Sequence, residues 1–432
     1  MDSILQQSFA DHPCSQFLAA FNQIARVLGS RLFLVGGSIR NALLSIPFHE
    51  VDLLLEGNLQ EFLEAVSTSP NMTIVLLDKK RNLYRLVSKP KKIYFDLSPC
   101  EEMTVEANLL KRDFPINAIA LDLENLLNQT FELLDPQHGV EDLQKKQIRT
   151  LNPERFQEDP LRILRGFRLA AALHFSLEEK TEQFAQATAP LLQSISIERI
   201  RDEFFKILES EKSYPWILKM DKLGILEILF PEILPLKKTE QNPRYHSYNV
   251  WDHSLKTVEE LEKLLKEKNY SESQDNLSGE RTRLSGLKFA ALFHDIGKPS
   301  AFTRGENGEI HFYQHETIGE NLIQALSERL RLSVKETQFF SLLIRNHLRP
   351  AQLARTPKIT ESAVSRLFRD VHPYEKELIL LSLADARAKG KEETPSSAQG
   401  KILAAIELLN HAFPQHQSDD QKNSSMGKTF FA

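Results

Sequence analysis

The sequence is poor in residues that define special protein classes. Glycine provides 16 of its 432 residues, roughly half the usual share. The two cysteines, Cys14 and Cys100, are too few for a disulfide framework, which favours a reducing compartment. No apolar run approaches the ~18 residues needed to cross a bilayer, and no basic segment followed by an apolar one opens the chain. These absences predict a cytoplasmic protein without a membrane segment.

The chain also lacks an excess of positive charge. Its 54 basic residues are outnumbered by 59 acidic ones, for a net charge of −5. A nucleic-acid partner must therefore be argued from a local patch. With 41% hydrophobic and 26% charged residues, the composition is that of a globular protein. At roughly 100 to 200 residues per domain, the length suggests about two to four domains.

The apolar pattern divides the chain into two parts. Short β-rich runs separated by turn residues indicate one mixed sheet near the start of the chain. These runs are residues 32–35, 51–55, 73–77, 83–87, 93–97 and 116–123. From residue 158 onward helical spacing prevails, with a first helix beginning at Pro160. The sequence thus predicts an α+β fold, in which a mixed-sheet head precedes a long all-α region.

Gly36 and Gly37 stand between a predicted strand and a predicted helix. Because they have no side chains, backbone N–H groups there can approach an anion. The positive end of the helix and Arg40 lie beside the same point. This environment suits a triphosphate, although a tight turn without a ligand remains the alternative.

Glu50 and Asp52 are two residues apart on the next predicted strand, so their carboxylates project from one face. Two charges on an otherwise apolar strand are costly unless a cation compensates them. Oxygen ligands at this spacing suit Mg²⁺, and two such ions can stabilise displacement at phosphorus. Asp96, on another predicted strand, is a candidate third metal ligand. The alternative is an edge strand with a solvated polar face.

Six segments in collinear order resemble the class II tRNA nucleotidyltransferase and bacterial poly(A) polymerase family. They are GGSIR (36–40), EVD (50–52), KRDFPINA (111–118), LLDPQHGVEDL (133–143), RFQEDPLRILRGFRLAA (155–171) and IERIRDEFFKIL (197–208). Members of this family add CCA, or part of it, to tRNA 3′ ends without a nucleic-acid template. The resemblance implies a nucleotidyltransferase head, a neck that holds the incoming nucleotide, and a helical body that binds tRNA.

The resemblance also implies roles for individual residues. Glu50 and Asp52 would be the catalytic residues and would bind Mg²⁺. The nucleotide-binding residues for CTP and ATP would be Gly36, Gly37, Arg40, Arg112, Asp113, Asn117, Asp159, Arg162 and Arg165.

The sequence departs from the family pattern at four positions. Asn41 and Glu50 replace aspartates, Lys111 replaces an arginine, and Pro115 replaces a threonine. A shift near 1 Å at a metal can cost on the order of 100-fold in rate. Reduced activity, or a changed substrate, therefore stays open.

Asp159 and Arg162 offer an acceptor and a donor three residues apart at the start of the predicted helix. Cytosine and adenine both present an amino group beside a ring-nitrogen acceptor, whereas uracil and guanine present a carbonyl there. The pair would therefore accept C and A and reject U and G. For Asp159 alone, a helix N-cap is the alternative.

A local basic patch is the candidate RNA-binding surface of the head. It contains Lys79, Lys80, Arg81 and Arg85, and continues through Lys89, Lys91 and Lys92 with two tyrosines interleaved. Positive charge with interleaved aromatic rings can follow a phosphate backbone. A solvated hairpin is the alternative.

A second set of motifs resembles the HD superfamily of metal-dependent phosphohydrolases. The segments are YNVWDHSL (248–255), ALFHDIGKP (291–299), FYQHETIGENL (312–322), LIRNHLRP (343–350) and LADARAKG (383–390). His253, His294, Asp295 and Asp385 would form a mixed nitrogen and oxygen site suited to Mn²⁺, Ni²⁺ or Zn²⁺. His315 and His347 would extend it or bind phosphate. Satisfied core histidines are the alternative.

These expectations divide the chain into a head (1–150), a helical neck and RNA-binding body (151–235), an HD-type domain (236–412) and a disordered tail (413–432). The predicted activity is addition of C and A to tRNA 3′ ends from CTP and ATP, with release of pyrophosphate. Poly(A) polymerase and partial A- or CC-addition share every head motif. A phosphohydrolase with a degenerate RNA-binding head is the alternative from another class. The motifs leave the oligomeric state open.

Overall fold

The computed structural model describes residues 2–10, 12–69, 71–88, 93–100, 103–243, 247–267, 276–279, 281–356 and 360–389. The chain forms two compact units. The first comprises Met1–Arg162 and Leu173–Ala185, and the second comprises Ile163–Ala172 and Gln186–Ala432. The predicted tail, 413–432, and Lys89, Lys91 and Lys92 lie outside the described residues. Within the described ranges, no helix has the length and apolar character required to cross a membrane.

A mixed sheet forms the centre of the first unit. Its strands are β1 (Arg31–Val35), β2 (Glu50–Glu56), β3 (Met72–Asp78), β4 (Leu83–Ser88), β5 (Ile93–Pro99), β6 (Ala120–Asp122) and β7 (Leu133–Leu134). Their order is β3-β4-β5-β2-β1-β6-β7. Strands β2 and β5 run parallel, and the other neighbours run antiparallel.

Helices precede, separate and follow these strands along the chain up to residue 188. They are α1 (Asp2–Ala10), α2 (Ser15–Val27), α3 (Gly36–Leu43), α4 (Leu59–Ser67), α5 (Val105–Leu110), α6 (Leu123–Leu127), α7 (Gly139–Lys145), α8 (Glu154–Glu158), α9 (Leu161–Leu173) and α10 (Glu179–Thr188). Short strands β8 (Gln147–Ile148) and β9 (Ser176–Leu177) pair in parallel. Pro115–Asn117 forms a 3₁₀ helix.

One face of strand β2 carries core residues in one part of the strand and acidic residues in the other. Leu54 packs with Phe33 and Val35 in a fully buried apolar cluster. Because side chains alternate along a strand, Asp52 and Glu50 lie on this same face, beyond the apolar part. The sequence therefore places both acids where the core of the head ends.

The expected strand at residues 116–123 is wrong over its first half. The chain there forms the 3₁₀ helix Pro115–Asn117, and strand β6 contains only Ala120–Asp122. Pro115 has no N–H to give to a ladder, and it favours the first turn of a helix. The turn directs the side chain of Asn117 to Arg40 instead of into a sheet.

The second unit is mainly helical. Its further helices are the 3₁₀ helix Ala189–Ser194 and α11 (Ile197–Leu208), α12 (Tyr214–Lys222), α13 (Ile225–Leu229), α14 (Ile233–Lys238), α15 (Val250–Glu267), α16 (Arg283–Phe293), α17 (Lys298–Ala301), α18 (His315–Arg329), α19 (Val334–Asn346), α20 (Arg349–Ala354), α21 (Glu361–Val371) and α22 (Glu375–Arg387). Two short hairpins join them, β10 (Asn276–Ser278) with β11 (Arg281–Thr282), and β12 (Phe302–Arg304) with β13 (Ile310–Phe312). Aromatic rings fill its core around Phe289, which contacts Phe205 and Phe293. The α+β class predicted from the sequence is confirmed.

Candidate functional sites

The double-glycine turn and the acid on strand β2 are in direct contact. Gly36 leaves strand β1 with a φ of +67°, and helix α3 begins there. The amide of Gly37 then donates a 2.9 Å hydrogen bond to Oδ2 of Asp52. A Cβ on Gly36 would lie 2.7 Å from the same oxygen, so both the backbone angle and the space require glycine. The turn and the carboxylate therefore form one site.

Arg40 is held beside this turn by two asparagines. Its Nη1 donates to Oδ1 of Asn117 over 2.6 Å. Its Nε and Nη2 donate to Oδ1 of Asn41 over 3.1 and 2.9 Å. Asn117 in turn donates to Asp113 over 3.1 Å. Asn41 thus retains an acceptor for Arg40 although it has lost the charge of the usual aspartate.

Asp52 lies in a buried and positively charged environment. Burial raises the pKa of its carboxyl above the ordinary value, and this effect is opposed by the charge of Arg112 and by the Gly37 amide. Arg112 also approaches Gly36, since a Cβ there would lie 3.0 Å from Nη1 of this arginine. The anion-binding groups expected from the sequence therefore surround one side of Asp52.

Glu50 and Asp96 have a different partner, Arg85. This arginine donates two hydrogen bonds to Asp96, from Nε over 2.7 Å and from Nη2 over 2.8 Å. Its Nη2 also lies 3.0 Å from Oε1 of Glu50. Both oxygens of Asp96 accept hydrogen bonds from the guanidinium. Arg85 therefore faces these two acids, and its side chain is only partly exposed.

The remaining basic residues of the expected patch lie at the turn between β3 and β4. Lys79, Lys80 and Arg81 are exposed. The amides of Lys80 and Arg81 donate to Oδ1 of Asp78 over 2.8 and 3.2 Å, which fixes the turn. The exposed side chains are available to a polyanion.

Asp159 and Arg162 occupy the junction between α8 and α9. Oδ1 of Asp159 accepts from the amide of Leu161 over 3.3 Å, as an N-cap does. Nη1 of Arg162 donates to Glu158 over 3.0 Å. Arg155 donates to the same carboxylate over 3.1 Å, so Glu158 lies between two arginines. Arg162 is therefore held by Glu158 in this structure.

Sequence reasoning missed three of these supporting residues. They are Asn41 as the support of Arg40, and Arg155 and Glu158 as supports of Arg162. Glu158 and Arg162 are four residues apart, a spacing at which opposite charges can pair, and this was the available signal although the two residues lie on different helices. Arg165 lies further along α9, in the second unit.

A second cluster lies in the second unit, where ends of several helices meet. His253 on α15 contacts Asp385 on α22, with Nε2 to Oδ1 at 2.9 Å. His294 and Asp295 follow the last residue of α16, and His294 Nε2 lies 3.1 Å from Asp295 Oδ2. The helix end thus lets two adjacent residues face one point, as the sequence predicted. Lys298 contacts the same Asp295 oxygen at 2.6 Å.

Asp295 joins two groups of ligands. Among the described residues, the clusters of three or more candidate ligands within 4.8 Å of one another are His253, His294 and Asp295, and Asp295, His315 and His347. The Oδ1 atom of Asp295 faces His315 at 3.4 Å and His347 at 3.6 Å. His315 and His347 therefore belong to the cluster. The three head acids do not form such a group.

The imidazoles of this cluster are oriented for metal binding. In His294, His315 and His347, Nδ1 contacts the carbonyl three residues earlier, at 2.7–2.9 Å. This contact leaves Nε2 as the inward atom. All three Nε2 atoms are buried and make no hydrogen bond to any described residue. A buried set of nitrogen and carboxylate donors fits a divalent transition metal.

The charges of the cluster also suit a cation. Burial would raise the pKa of Asp295, but His294 and Lys298 hold it well below its usual value. Burial lowers the pKa of His253 and of His347. These directions favour an ionised aspartate and two neutral imidazoles, which are the forms that bind metals. Burial would lower the pKa of His294, but Asp295 raises it above its ordinary value, so a bound metal would displace a proton there.

Three family descriptions match successive parts of the chain. They are the Poly A polymerase head domain over residues 32–149, the Probable RNA and SrmB- binding site of polymerase A over 174–236, and the HD domain over 245–390. The chain belongs to the class II tRNA nucleotidyltransferase and bacterial poly(A) polymerase family and carries an HD domain. This confirms the family predicted from the six motifs.

Known relatives agree with this assignment. A CC-adding tRNA nucleotidyltransferase of Geobacter sulfurreducens is 34% identical over 223 residues, which are 52% of this chain and 50% of that protein. The chain thus aligns with about half the length of that relative. A multifunctional CCA protein of Mannheimia succiniciproducens is 29% identical over 384 residues, or 84% of this chain and 85% of that protein.

The fold is similarly shared with solved structures. The Thermotoga maritima CCA-adding enzyme complexed with tRNA superposes with a TM-score of 0.64. The match covers 94% of this chain and 84% of that chain, at 23% sequence identity. At this identity, the likeness establishes the fold.

Proposed function

We propose that the protein is a cytoplasmic nucleotidyltransferase that adds C and A residues to the 3′ end of tRNA, using CTP and ATP. The observation that carries this proposal is the contact between the Gly37 amide and Asp52 Oδ2 at 2.9 Å. It joins an anion-binding turn to an acid on the adjacent strand. The two curated relatives, a CC-adding enzyme and a multifunctional CCA protein, support the choice of substrate.

The residues of the head suit transfer of a nucleotidyl group. The terminal ribose hydroxyl of tRNA would lose its proton to a nearby carboxylate and attack the α-phosphorus. A new P–O bond forms as the bond to pyrophosphate breaks. Glu50 and Asp52 would hold Mg²⁺, which supplies charge stabilisation at the phosphates. Gly36, Gly37 and Arg40 would hold the triphosphate, because the helix end and the guanidinium both attract anions. Arg112, Asp113 and Asn117 would shape the same pocket.

The neck would select the base. Asp159 accepts a hydrogen bond from an amino group, and Arg162 donates one to a ring nitrogen, which matches cytosine and adenine. Glu158 fixes the guanidinium through a 3.0 Å bond and thereby keeps the donor in place. Arg165 would be a further nucleotide-binding residue, as the family resemblance implies.

We further propose the arrangement of the chain that serves this activity. The head would extend to residue 150, the neck and RNA-binding body would occupy 151–235, and the HD-type domain would begin at 236. Lys79, Lys80 and Arg81 would contact tRNA through the exposed turn of the head. Such contacts would weaken as salt increases, because they depend on phosphate charge.

The test uses tRNA that lacks its CCA end. The purified chain receives CTP alone, ATP alone, or both nucleotides, and the products are separated at single-nucleotide resolution. We expect two additions with CTP alone and three with both nucleotides, as the sequence CCA requires. Arrest after CC in the presence of both nucleotides would identify a CC-adding enzyme. Addition of A only to tRNA ending in CC would identify an A-adding enzyme, and long A tails on arbitrary RNA would identify a poly(A) polymerase.

We propose a metal-dependent phosphohydrolase activity as a second function, because buried imidazole nitrogens face the Asp295 carboxylate. The metal would be Mn²⁺, Ni²⁺ or Zn²⁺, held by His253, His294, Asp295 and Asp385, and would supply Lewis-acid stabilisation at a phosphate. The substrates of this chemistry would be phosphates at RNA ends.

Hydrolysis of an oligonucleotide bearing a terminal 3′-phosphate, measured with each ion in turn, tests this second function. His294→Ala should abolish both hydrolysis and metal-induced thermal stabilisation. The matched control is His372→Ala, since the side chain of His372 is 74% exposed and lies outside the cluster. If His294→Ala released phosphate at the wild-type rate, the cluster would not be the site of this hydrolysis.

A further inference from the structure

Arg85 lies in line with two acids of the head on three neighbouring strands. Asp52 on β2 is the pairing partner of Asp96 on β5, and Asp96 is the partner of Arg85 on β4. Paired residues on adjacent strands point to the same face of a sheet. Glu50, two residues before Asp52, lies on this face as well. The backbone pairing therefore places a guanidinium among three carboxylates.

The guanidinium is held firmly in this place. Its two hydrogen bonds to Asp96, at 2.7 and 2.8 Å, have the bidentate geometry that favours strong arginine–carboxylate pairing. A third bond reaches Glu50 at 3.0 Å, and the charged carbon lies 5.2 Å from the ring centre of Tyr94. Only 26% of the Arg85 side chain is exposed. Arg85 is thus a fixed part of the acidic face.

These contacts divide the carboxylates into two sets. Asp52 faces the Gly37 amide in the double-glycine turn. Asp96 has both oxygens on Arg85, and Glu50 has one oxygen there. Two divalent ions close together need several carboxylate oxygens to offset their charge. The acids near Arg85 already have a cation.

We propose that Arg85 is a positioning residue that takes the place of one divalent ion beside Asp96 and Glu50, so that the head binds a single ion at Asp52 and the second oxygen of Glu50. This inference depends on one part of the proposed function, namely that the head binds a nucleotide and a metal ion. It assigns Asp96 as the anchor of Arg85 and removes it from the metal ligands. It also gives a reason for glutamate at position 50, since the longer side chain can contact Arg85 and still reach toward Asp52.

The test counts Mn²⁺ bound to the full-length chain, by electron paramagnetic resonance of the remaining free ion, with saturating α,β-methylene-ATP. This nucleotide cannot be transferred, so the count does not depend on turnover. The HD-type cluster is unchanged in every variant and contributes equally. We expect Arg85→Gln to bind one more Mn²⁺ per chain than the wild type. Arg85→Lys, which keeps the charge, should bind the wild-type number.

A second variant makes the result independent of how well Arg85→Gln folds. Asp96→Asn leaves the arginine in place, and we expect it to bind as many ions as the wild type. The double variant Arg85→Gln with Asp96→Asn should lose the additional ion. An equal count in folded Arg85→Gln and wild type would overturn the proposal, and so would the loss of one ion in Asp96→Asn.

These outcomes are separate from the proposed function. A chain that incorporates no nucleotide into tRNA, but gains an ion in Arg85→Gln, would contradict the activity and support the role of Arg85. If the wild-type chain completes CCA but all variants bind the same number of Mn²⁺ ions, the activity would be supported and the role of Arg85 would be contradicted.

Discussion

The amide of Gly37 donates to Oδ2 of Asp52 over 2.9 Å, across 15 residues of sequence. One partner belongs to the first turn of helix α3 and the other to strand β2. A helix N-terminus attracts anions and a carboxylate attracts cations. This contact therefore places an anion-binding group next to a cation-binding group. A nucleoside triphosphate with its cation combines both charges, and the site is matched to that ligand.

The two glycines of this turn should differ sharply in their tolerance of a side chain. Gly36→Ala places a Cβ 2.7 Å from Asp52 Oδ2 at a φ of +67°, and we expect a loss of about 1–3 kcal/mol in unfolding free energy. In Gly37→Ala the nearest atoms lie at 3.4 and 3.5 Å, which are ordinary contacts, so the loss should stay within about 1 kcal/mol. Urea denaturation followed by circular dichroism measures both. Equal losses would contradict the explanation given for Gly36.

Asn41 should matter for its oxygen and not for its lack of charge. Asn41→Leu removes the acceptor of two Arg40 N–H groups, so we expect the KM for ATP and CTP to increase on the order of tenfold. Asn41→Asp keeps this acceptor and is the matched control, with a KM at or below that of the wild type. Steady-state incorporation into tRNA gives both values. A similar increase in both variants would show that the acceptor is not what matters.

Glu158 should support base selection through Arg162. Glu158→Ala removes the carboxylate that holds Arg162 at 3.0 Å. Its side chain is 53% exposed, so the effect of one such pair is modest, and we expect misincorporation of U or G to increase about two- to fivefold. Glu154→Ala, an exposed acid on the same short helix, is the control. Competition between CTP and UTP measures the ratio of U to C incorporated. An unchanged ratio in Glu158→Ala would show that Glu158 has no role in selecting the base.

Both cysteines should be unreactive in the folded protein. Burial raises the pKa of Cys14 to about 12 and that of Cys100 to about 11. Thiolates are the reactive form, so at pH 8 almost no thiolate is present. Ellman's reagent should therefore find less than one fast-reacting thiol in the native chain, and two after denaturation in guanidinium chloride. A native thiol that reacts within seconds would show that one of these sites opens readily.

The strands of the head could be predicted from sequence because their apolar runs are short and separated by turn residues. The face shared by Glu50 and Asp52 followed from the period of two along a strand. The strand predicted at 116–123 was wrong in its first half because Pro115 and the side chain of Asn117 favour a turn at the site. Local structure that departs from the apolar sequence pattern is expected at functional sites.

The partners of Arg85 could not be read from the sequence. In the chain it follows three other basic residues and suggests a surface patch. Its actual place depends on the register between β4 and β5, which pairs it with Asp96. For the HD-type cluster, by contrast, the adjacent His294 and Asp295 before Gly297 were a sufficient signal. The sequence did not show that His315 and His347 form a second ligand group. The structure shows this group, because both histidines lie close to the Asp295 carboxylate.

The most direct test of the account compares Asp52→Asn with His294→Ala in incorporation of CMP and AMP into tRNA that lacks its CCA end. Asp52→Asn removes the charge beside the Gly37 amide, and we expect the rate to decrease on the order of 100-fold or more. His294→Ala changes only the second unit and should leave incorporation near the wild-type rate. Incorporation that survives Asp52→Asn, or is lost in His294→Ala, would contradict the assignment of nucleotide transfer to the head.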